Sequence, residues 1–204
     1  MTTNESFPKF DLPVDFIADD SITGDILNYY GNFPCKIKAG VFVLCTEGMV
    51  RATINLLEIV IRKNDFIVVL PNSFIQIHEV SSDTRISFAG FSSDFMLSGN
   101  YVEILLDFMP MILNSPVISL QEDVAGLYRN VYLLLIRAYT LPHSLENKEI
   151  IRSVLAIFLQ GTKELYKRYG KKLDEPLRRE QELYRQFIQL LMVHYTKELS
   201  LIHI

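Results

Sequence analysis

Short apolar runs separated by turn residues occupy the chain from residue 26 to residue 91. The runs read ILNYYGNF, CKIKAGVFVLC, ATINLLEIVI, DFIVVL, SFIQIHEV and TRISFAGF, with glycine, asparagine, aspartate and serine between them. Apolar runs of this length, interrupted by turn residues, are typical of strands in a small antiparallel barrel or jelly roll. The pattern predicts six or more strands.

Residues 61–77, IRKNDFIVVLPNSFIQI, show this pattern most clearly. Their two apolar runs are joined through Asn64-Asp65 and Pro71-Asn72-Ser73, which predicts strand, turn and strand. In residues 35–45 every second side chain belongs to one small apolar face, and the two lysines between them point the other way. We therefore predict a strand at 35–45 with one side toward a core.

After residue 92 the spacing of the apolar residues changes from two to about 3.6, which indicates helices. Four helices are predicted, at residues 101–113, 121–140, 145–169 and 178–198. Ser119 and Glu122 have the spacing of a capping box before the second helix, and Gly170 follows the basic end of the third as a stop signal. The expected fold class is α+β, an antiparallel β-barrel or jelly roll followed by a helical C-terminal half.

Composition bounds the location and the partners of the chain. With 204 residues, 49% of them hydrophobic, it can bury a sizeable core, yet its apolar runs fall far short of the roughly 18 residues that indicate a membrane span. We expect a cytoplasmic protein, with Cys35 and Cys45 as reduced thiols. Residues 1–120 hold 7 basic and 14 acidic side chains, whereas 121–204 hold 13 basic and 10 acidic, so the first half would repel nucleic acid.

The strand region has few side chains that support catalysis. His78 is its only histidine, and a metal site needs three or more ligands, while the adjacent Glu79 would point to the opposite face of a strand. The sequence has neither a nucleophile elbow nor a glycine-rich phosphate loop. We therefore expect no enzyme activity, no metal and no cofactor. Glu47, just before Gly48, is either a ligand contact at a barrel mouth or an ordinary turn carboxylate.

The order of these features resembles the N-terminal regulatory domain of AraC-type bacterial transcription regulators. The strand motif of that family corresponds to residues 64–71, NDFIVVLP, with Asn64 in place of the usual glycine. Asparagine is tolerable there because it also accepts a positive φ. In this family a cupin-like barrel holds a small effector, the following helices form a dimer contact, and a domain with two helix-turn-helix units binds DNA.

A second match lies in residues 182–201, which resemble the first helix of the DNA-binding domain of the family. The apolar stripe of that predicted helix has no evident packing partner in the chain; it consists of Leu183, Phe187, Leu190, Leu191 and Tyr195. The resemblance implies roughly 100 further residues with the recognition helices. We therefore expect that the chain is a fragment that does not read DNA bases by itself.

The resemblance implies three segments: a cupin-like barrel sensor at 1–92, a helical dimerisation segment at 93–170, and a linker with the first DNA-binding helix at 171–204. Alternation and resemblance together give candidate ligand-binding residues around an apolar pocket with one carboxylate. They are Val43, Cys45, Glu47, Ile75, Ile77, Ile86 and Phe88. Core packing explains the apolar ones equally well.

The predicted helix at 145–169 has more apolar surface than one contact face requires, which predicts a homodimer contact. The candidates are Ile151, Val154, Leu155, Phe158 and Leu165. The expected function is that of a ligand-sensing and dimerisation domain with an unknown small-molecule effector. Two alternatives are a cupin-fold metal enzyme and a cyclic-nucleotide sensor, although the sensor needs a Gly-Glu pair and here Gly48 is followed by Met49.

Overall fold

The computed structural model describes residues 9–10, 12, 14–31, 33–97, 101–140 and 148–169, and also residues 179, 182, 183, 186, 187 and 190. The strands are β1 Lys9–Phe10, β2 Phe16–Thr23, β3 Cys35–Ile37, β4 Gly40–Glu47, β5 Met49–Ile54, β6 Leu57–Arg62, β7 Asp65–Val69, β8 Ser73–Val80, β9 Arg85–Phe91 and β10 Val117–Ser119. The helices are α1 Gly24–Tyr30, α2 Ser93–Leu97, α3 Tyr101–Asn114, α4 Glu122–Thr140 and α5 Lys148–Tyr169. The predicted α+β class, with strands first and helices after them, is confirmed.

The strands form two five-stranded sheets. The outer sheet has the order β1-β3-β8-β5-β6, and the inner sheet has the order β10-β7-β4-β9-β2. Every pairing is antiparallel except that of β1 with β3. The turn at Pro71-Asn72 therefore carries the chain from the inner sheet to the outer one, and β7 and β8 are not a hairpin.

The inner sheet is covered on both faces. Along β4, Phe42 and Leu44 belong to the cluster that faces the helices, whereas Val41 and Val43 belong to the cluster between the two sheets. Successive side chains of a strand point to opposite faces, so one strand serves both clusters. All five residues of β7, DFIVV, are buried, and its four residues after Asp65 are apolar without alternation because both faces are covered.

The helices α3, α4 and α5 form a third layer on the inner sheet. The ring of Phe158 in α5 lies at its centre, 4.8 Å from the ring of Phe42 and 5.9 Å from that of Phe66. It also lies 5.6 Å from the rings of Tyr128 and Tyr132 in α4. Aromatic contacts therefore fix both long helices on the sheet.

No described helix is long and apolar enough to cross a membrane.

The turn between β6 and β7 joins the sheet to α4. Asn64 has a φ of 67°, which confirms that asparagine takes the left-handed conformation in place of glycine. Its side-chain Nδ2 donates a hydrogen bond of 2.6 Å to the carboxylate of Glu122, the first residue of α4. That hydrogen bond, and after it the charge of Lys63, lower the pKa of Glu122.

Three local predictions are corrected. Residues 26–33 are not a strand, because α1 covers residues 24–30 and packs Leu27 against the cluster between the sheets. The predicted strand at 35–45 is two strands, β3 and β4, which lie in different sheets. Ser119 does not cap α4, because it ends β10 opposite Asp65. The Glu122 carboxylate is bound by Asn64 instead.

The predicted helices at 101–113, 121–140 and 145–169 agree with α3, α4 and α5 to within three residues at each end. In the predicted helix at 178–198, the six described residues are helical. Its stripe residues Leu183, Phe187 and Leu190 are exposed. Leu191, Tyr195 and the stop residue Gly170 lie outside the described residues.

The residues proposed for the dimer contact lie inside the protomer. Ile151, Leu155, Phe158 and Leu165 are buried in the cluster between the helices and the inner sheet, and Val154 packs against that cluster. Their apolar surface is therefore packed within one chain, and their part in an intermolecular contact is untested. Dimerisation itself stays a prediction.

The burial of Phe158 within the protomer can be tested by mutation. Phe158→Ala removes a ring that is 2% exposed, and we expect a loss of about 3–5 kcal/mol in the free energy of unfolding. Its neighbour Ile157 is 68% exposed, so Ile157→Ala should change this energy by less than about 0.5 kcal/mol. Urea denaturation of both variants measures the difference. Equal effects would contradict the burial of Phe158.

The hairpin between β5 and β6 contains a strained residue. Asn55 and Leu56 have φ values of 48° and 71°, and a leucine in the left-handed conformation costs roughly 1–2 kcal/mol. Leu56→Gly should therefore raise the free energy of unfolding by about 0.5–1 kcal/mol after allowance for the freer unfolded chain. Asn55→Gly should lower it, because Asn55 Nδ2 donates to Ser73 Oγ and its Oδ1 accepts from the Phe74 amide. In urea denaturation, the midpoint should therefore rise in Leu56→Gly and fall in Asn55→Gly, relative to the wild-type chain.

Candidate functional site

The candidate site is the space between the two sheets. The apolar side chains that point into it from both sheets form one cluster, in which partly buried residues pack against buried ones. The fully buried members are Cys45, Val50, Ala52, Ile54, Ile61, Ile67, Val69 and Ile86. The members that keep accessible surface are Ile22, Leu27, Ile37, Val41, Val43, Ile59, Ile75, Ile77, Val80, Phe88 and Val117.

The two faces of the inner sheet differ in how completely they are packed. In β4 and β9, the helix-facing Phe42, Leu44 and Ala89 are at most 1% exposed. Val43 and Phe88, which lie opposite each other in the middle of the same strands, remain partly accessible on the other face. Central positions of a covered strand are usually closed to water. Solvent therefore reaches part of the middle of the face that points toward the outer sheet.

The accessible apolar residues mark where this space lies. Val41, Val43 and Phe88 belong to the inner sheet, and Ile75 and Ile77 belong to β8 at the centre of the outer sheet. Helix α1 packs on β8 and β2 and so closes one side of the region between them. We call this region the chamber; its described wall is lined by branched aliphatic side chains and one phenylalanine.

The structure brings six of the seven predicted pocket residues together. Val43, Cys45, Ile75, Ile77, Ile86 and Phe88 all belong to the cluster between the sheets. Four of them, Val43, Ile75, Ile77 and Phe88, are the accessible ones. Contact with a ligand stays a prediction for all six.

Glu47 lies apart from these residues. It is exposed at the end of β4, and its carboxylate forms an ion pair of 3.2 Å with Arg85. A solvated surface pair of this kind contributes little to stability. The predicted contact of Glu47 with a polar ligand remains untested.

The prediction omitted several residues of the chamber wall. Ile37 and Val41 lie on the alternating apolar face recognised in residues 35–45, so that pattern was the available signal. Ile59 was missed because the run ATINLLEIVI was treated as one apolar stretch, whereas a turn at Asn55-Leu56 divides it into two strands. Leu27 was missed because its segment was predicted as a strand, whereas it lies on helix α1.

The described residues offer no metal site. No group of three His, Cys, Asp or Glu side chains among them lies close enough to hold an ion. His78 is exposed on the outer sheet, where its Nε2 is 2.7 Å from the hydroxyl oxygen of Thr53. The expectation that the chain is not an enzyme remains a prediction.

Both cysteines are free, as the sequence indicated. Burial, and after it the charge of Asp65, raise the pKa of Cys45 to about 11, whereas its hydrogen bond to the Glu47 carbonyl acts in the opposite direction. A group with a raised pKa stays protonated at higher pH, so the Cys45 thiol is neutral at pH 8.

This protonation gives a prediction on labelling. In the folded chain at pH 8, iodoacetamide should modify Cys35 faster than Cys45, because Cys35 is partly accessible and Cys45 is buried. Peptide mass spectrometry over time measures the two rates, and denatured protein provides the control in which they become similar. Faster modification of Cys45 in the folded chain would contradict the burial of its thiol.

No family model matches the chain, and no curated protein matches it. Among solved structures it is similar to ToxT from Vibrio cholerae bound to (E)-4-(8-methylnaphthalen-1-yl)but-3-enoic acid, with 13% identity, a TM-score of 0.43, and coverage of 83% of this chain and 64% of ToxT. It is similar to the AraC-like transcriptional activator CuxR, with 11% identity, a TM-score of 0.42, and coverage of 76% and 51%. The chain thus spans less than two thirds of the length of either protein.

Proposed function

We propose that the chain is the ligand-sensing and dimerisation domain of an AraC-type transcription regulator, and that it is not an enzyme. DNA contact belongs, in this proposal, to a helix-turn-helix domain whose first helix residues 182–201 resemble. One observation carries the proposal: apolar side chains at the centre of both sheets remain accessible in the chamber, while those on the opposite face of the inner sheet are closed.

The chamber suits an apolar small molecule. Unfilled apolar space costs stability, because the side chains around it lose contacts that a filled core would make. A ligand that covers the exposed surface of Val43, Ile77 and Phe88 gains about 25 cal/mol for each Å² removed from water. Binding therefore favours whichever conformation closes around the ligand, which is the energetic requirement for a sensor.

Strand β7 gives a route from the chamber to the helices. Its Ile67 and Val69 belong to the cluster between the sheets, and Phe66 belongs to the cluster under the helices. The ring of Phe66 lies 5.0 Å from that of Tyr128 in α4 and 5.9 Å from that of Phe158 in α5. A shift of β7 on ligand binding would change the packing of both helices.

The test fills the chamber. In Ile77→Trp the indole occupies the unfilled space, so we expect loss of saturable binding of the apolar dye ANS to the folded chain, with little change in the free energy of unfolding. The matched control is Gln76→Trp, the neighbouring position of β8 that points away from the chamber, and it should keep the binding. Dye fluorescence titration and urea denaturation provide the two measurements.

Two outcomes would contradict the proposal. The first is the absence of saturable dye binding to the folded wild-type chain. The second is a loss of more than about 3 kcal/mol of stability in Ile77→Trp, since that is the result expected when a large side chain is forced into a filled core.

A further inference from the structure

Strand β6 ends the outer sheet. It pairs with β5 along its whole length, and no other described strand pairs with its second edge. Its side chains alternate regularly, with Ile59 and Ile61 packed against the cluster between the sheets. Glu58, Val60 and Arg62 are exposed on the other face. A six-residue strand with one open edge can receive a further strand.

The hairpin register shows which backbone groups face that open edge. A two-residue turn joins β5 to β6, so the closing pair Ile54 and Leu57 exchanges hydrogen bonds, and every second pair after it does the same. The N–H and C=O groups of Glu58, Val60 and Arg62 therefore point away from β5. The Arg62 amide agrees with this, because it donates 2.7 Å to the Asp65 carboxylate in the following turn, a partner that it would exchange for a carbonyl of an added strand.

The charges on this edge are complementary to themselves. Glu58 and Arg62 stand two residues before and two residues after Val60 on the same exposed face. If a second β6 pairs antiparallel about a two-fold axis at Val60, each Glu58 lies directly opposite an Arg62 of the second copy. Opposite charges at directly opposed positions stabilise a strand pair, and like charges destabilise it.

We propose that β6 is an interaction surface for a second copy of this chain, through antiparallel β6-to-β6 pairing centred on Val60. The two outer sheets then continue as one ten-stranded sheet across the two-fold axis. Val60, which is 38% exposed, meets its own copy at the centre. The proposal names the contact for the dimerisation part of the proposed function, and it stands or falls separately from ligand binding.

The charges on this edge favour pairing with a second copy over protection of the edge from pairing. Charges on an edge strand discourage pairing with an arbitrary strand, whereas here Glu58 and Arg62 are spaced so that an antiparallel copy meets opposite charges. Among the described residues, Glu58 forms an ion pair with the exposed Arg51, at 3.4 Å, and Arg51 also pairs with Glu79 at 3.3 Å. Exposed pairs of this kind are weak, so Glu58 can exchange partners on association.

Charge reversal tests the pairing. Glu58→Arg and Arg62→Glu each place like charges opposite one another twice in the dimer, so each should raise the dimer dissociation constant by about tenfold or more. The double reversal E58R/R62E restores opposite charges and should return the constant to near the wild-type value. Sedimentation equilibrium of the 204-residue chain from micromolar to tenth-millimolar concentration measures all four proteins.

The control is Arg85→Glu, which reverses a comparably exposed charge in the inner sheet and should leave association unchanged. Circular dichroism and urea denaturation establish that each variant is folded. A wild-type chain that is monomeric at every concentration overturns the proposal. A dimer that is unaffected by both single reversals, or that the double reversal fails to restore, overturns it as well. Loss of dye binding in Ile77→Trp has no bearing on this result.

Discussion

Burial of the inner sheet on both faces is the constraint on which the rest of the structure depends. Its strands must supply two apolar surfaces from one alternating sequence, and they do so with side chains of different size. Phe42, Phe66 and Phe91 face the helices and interlock, whereas Val41 and Val43 face the outer sheet. Large rings close the helix-facing side, whereas the side toward the outer sheet carries branched aliphatic chains and Phe88, and Val41, Val43 and Phe88 there remain partly accessible. The chamber is thus a consequence of how the inner sheet divides its apolar residues.

The same division determines which surfaces remain for other molecules. The helices give their most apolar faces to the inner sheet, with Phe158 in contact with rings from β4, β7 and α4. The outer sheet differs, because described residues on its second face, such as Arg51, Glu58 and His78, are exposed, and its last described strand has an open edge. Association through the sheet edge leaves the aromatic packing of the helices intact, and association through their buried faces would dismantle it.

Local signals were predictable from the sequence, and long-range ones were not. The bounds of α3, α4 and α5 follow from helical periodicity, and the positive φ of Asn64 follows from the chemistry of its side chain. Residues 35–45 were wrongly predicted as one strand, because their alternation continues unbroken while the chain passes from one sheet to the other. Periodicity identified the apolar face of α5 but does not distinguish a face buried by the same chain from one buried by a second chain. Whether six inward residues fill a core or leave a chamber depends on the distance between the sheets, which no local pattern contains.

The turn at Lys63-Asn64 explains how the chamber wall and the helices form one mechanical unit. The Asn64 amide donates to the carbonyl of Cys45 in β4, and its own carbonyl accepts from the amide of Leu120 just before α4. Its side chain binds Glu122 at the start of α4. Three hydrogen bonds from one residue thus connect a chamber strand to a helix that packs on the opposite face of the same sheet. Because Asn64 holds a left-handed backbone conformation, most other residues placed there would strain the backbone, and their side chains would lose the bond to Glu122 as well. The turn is therefore a structural joint between β4 and the start of α4.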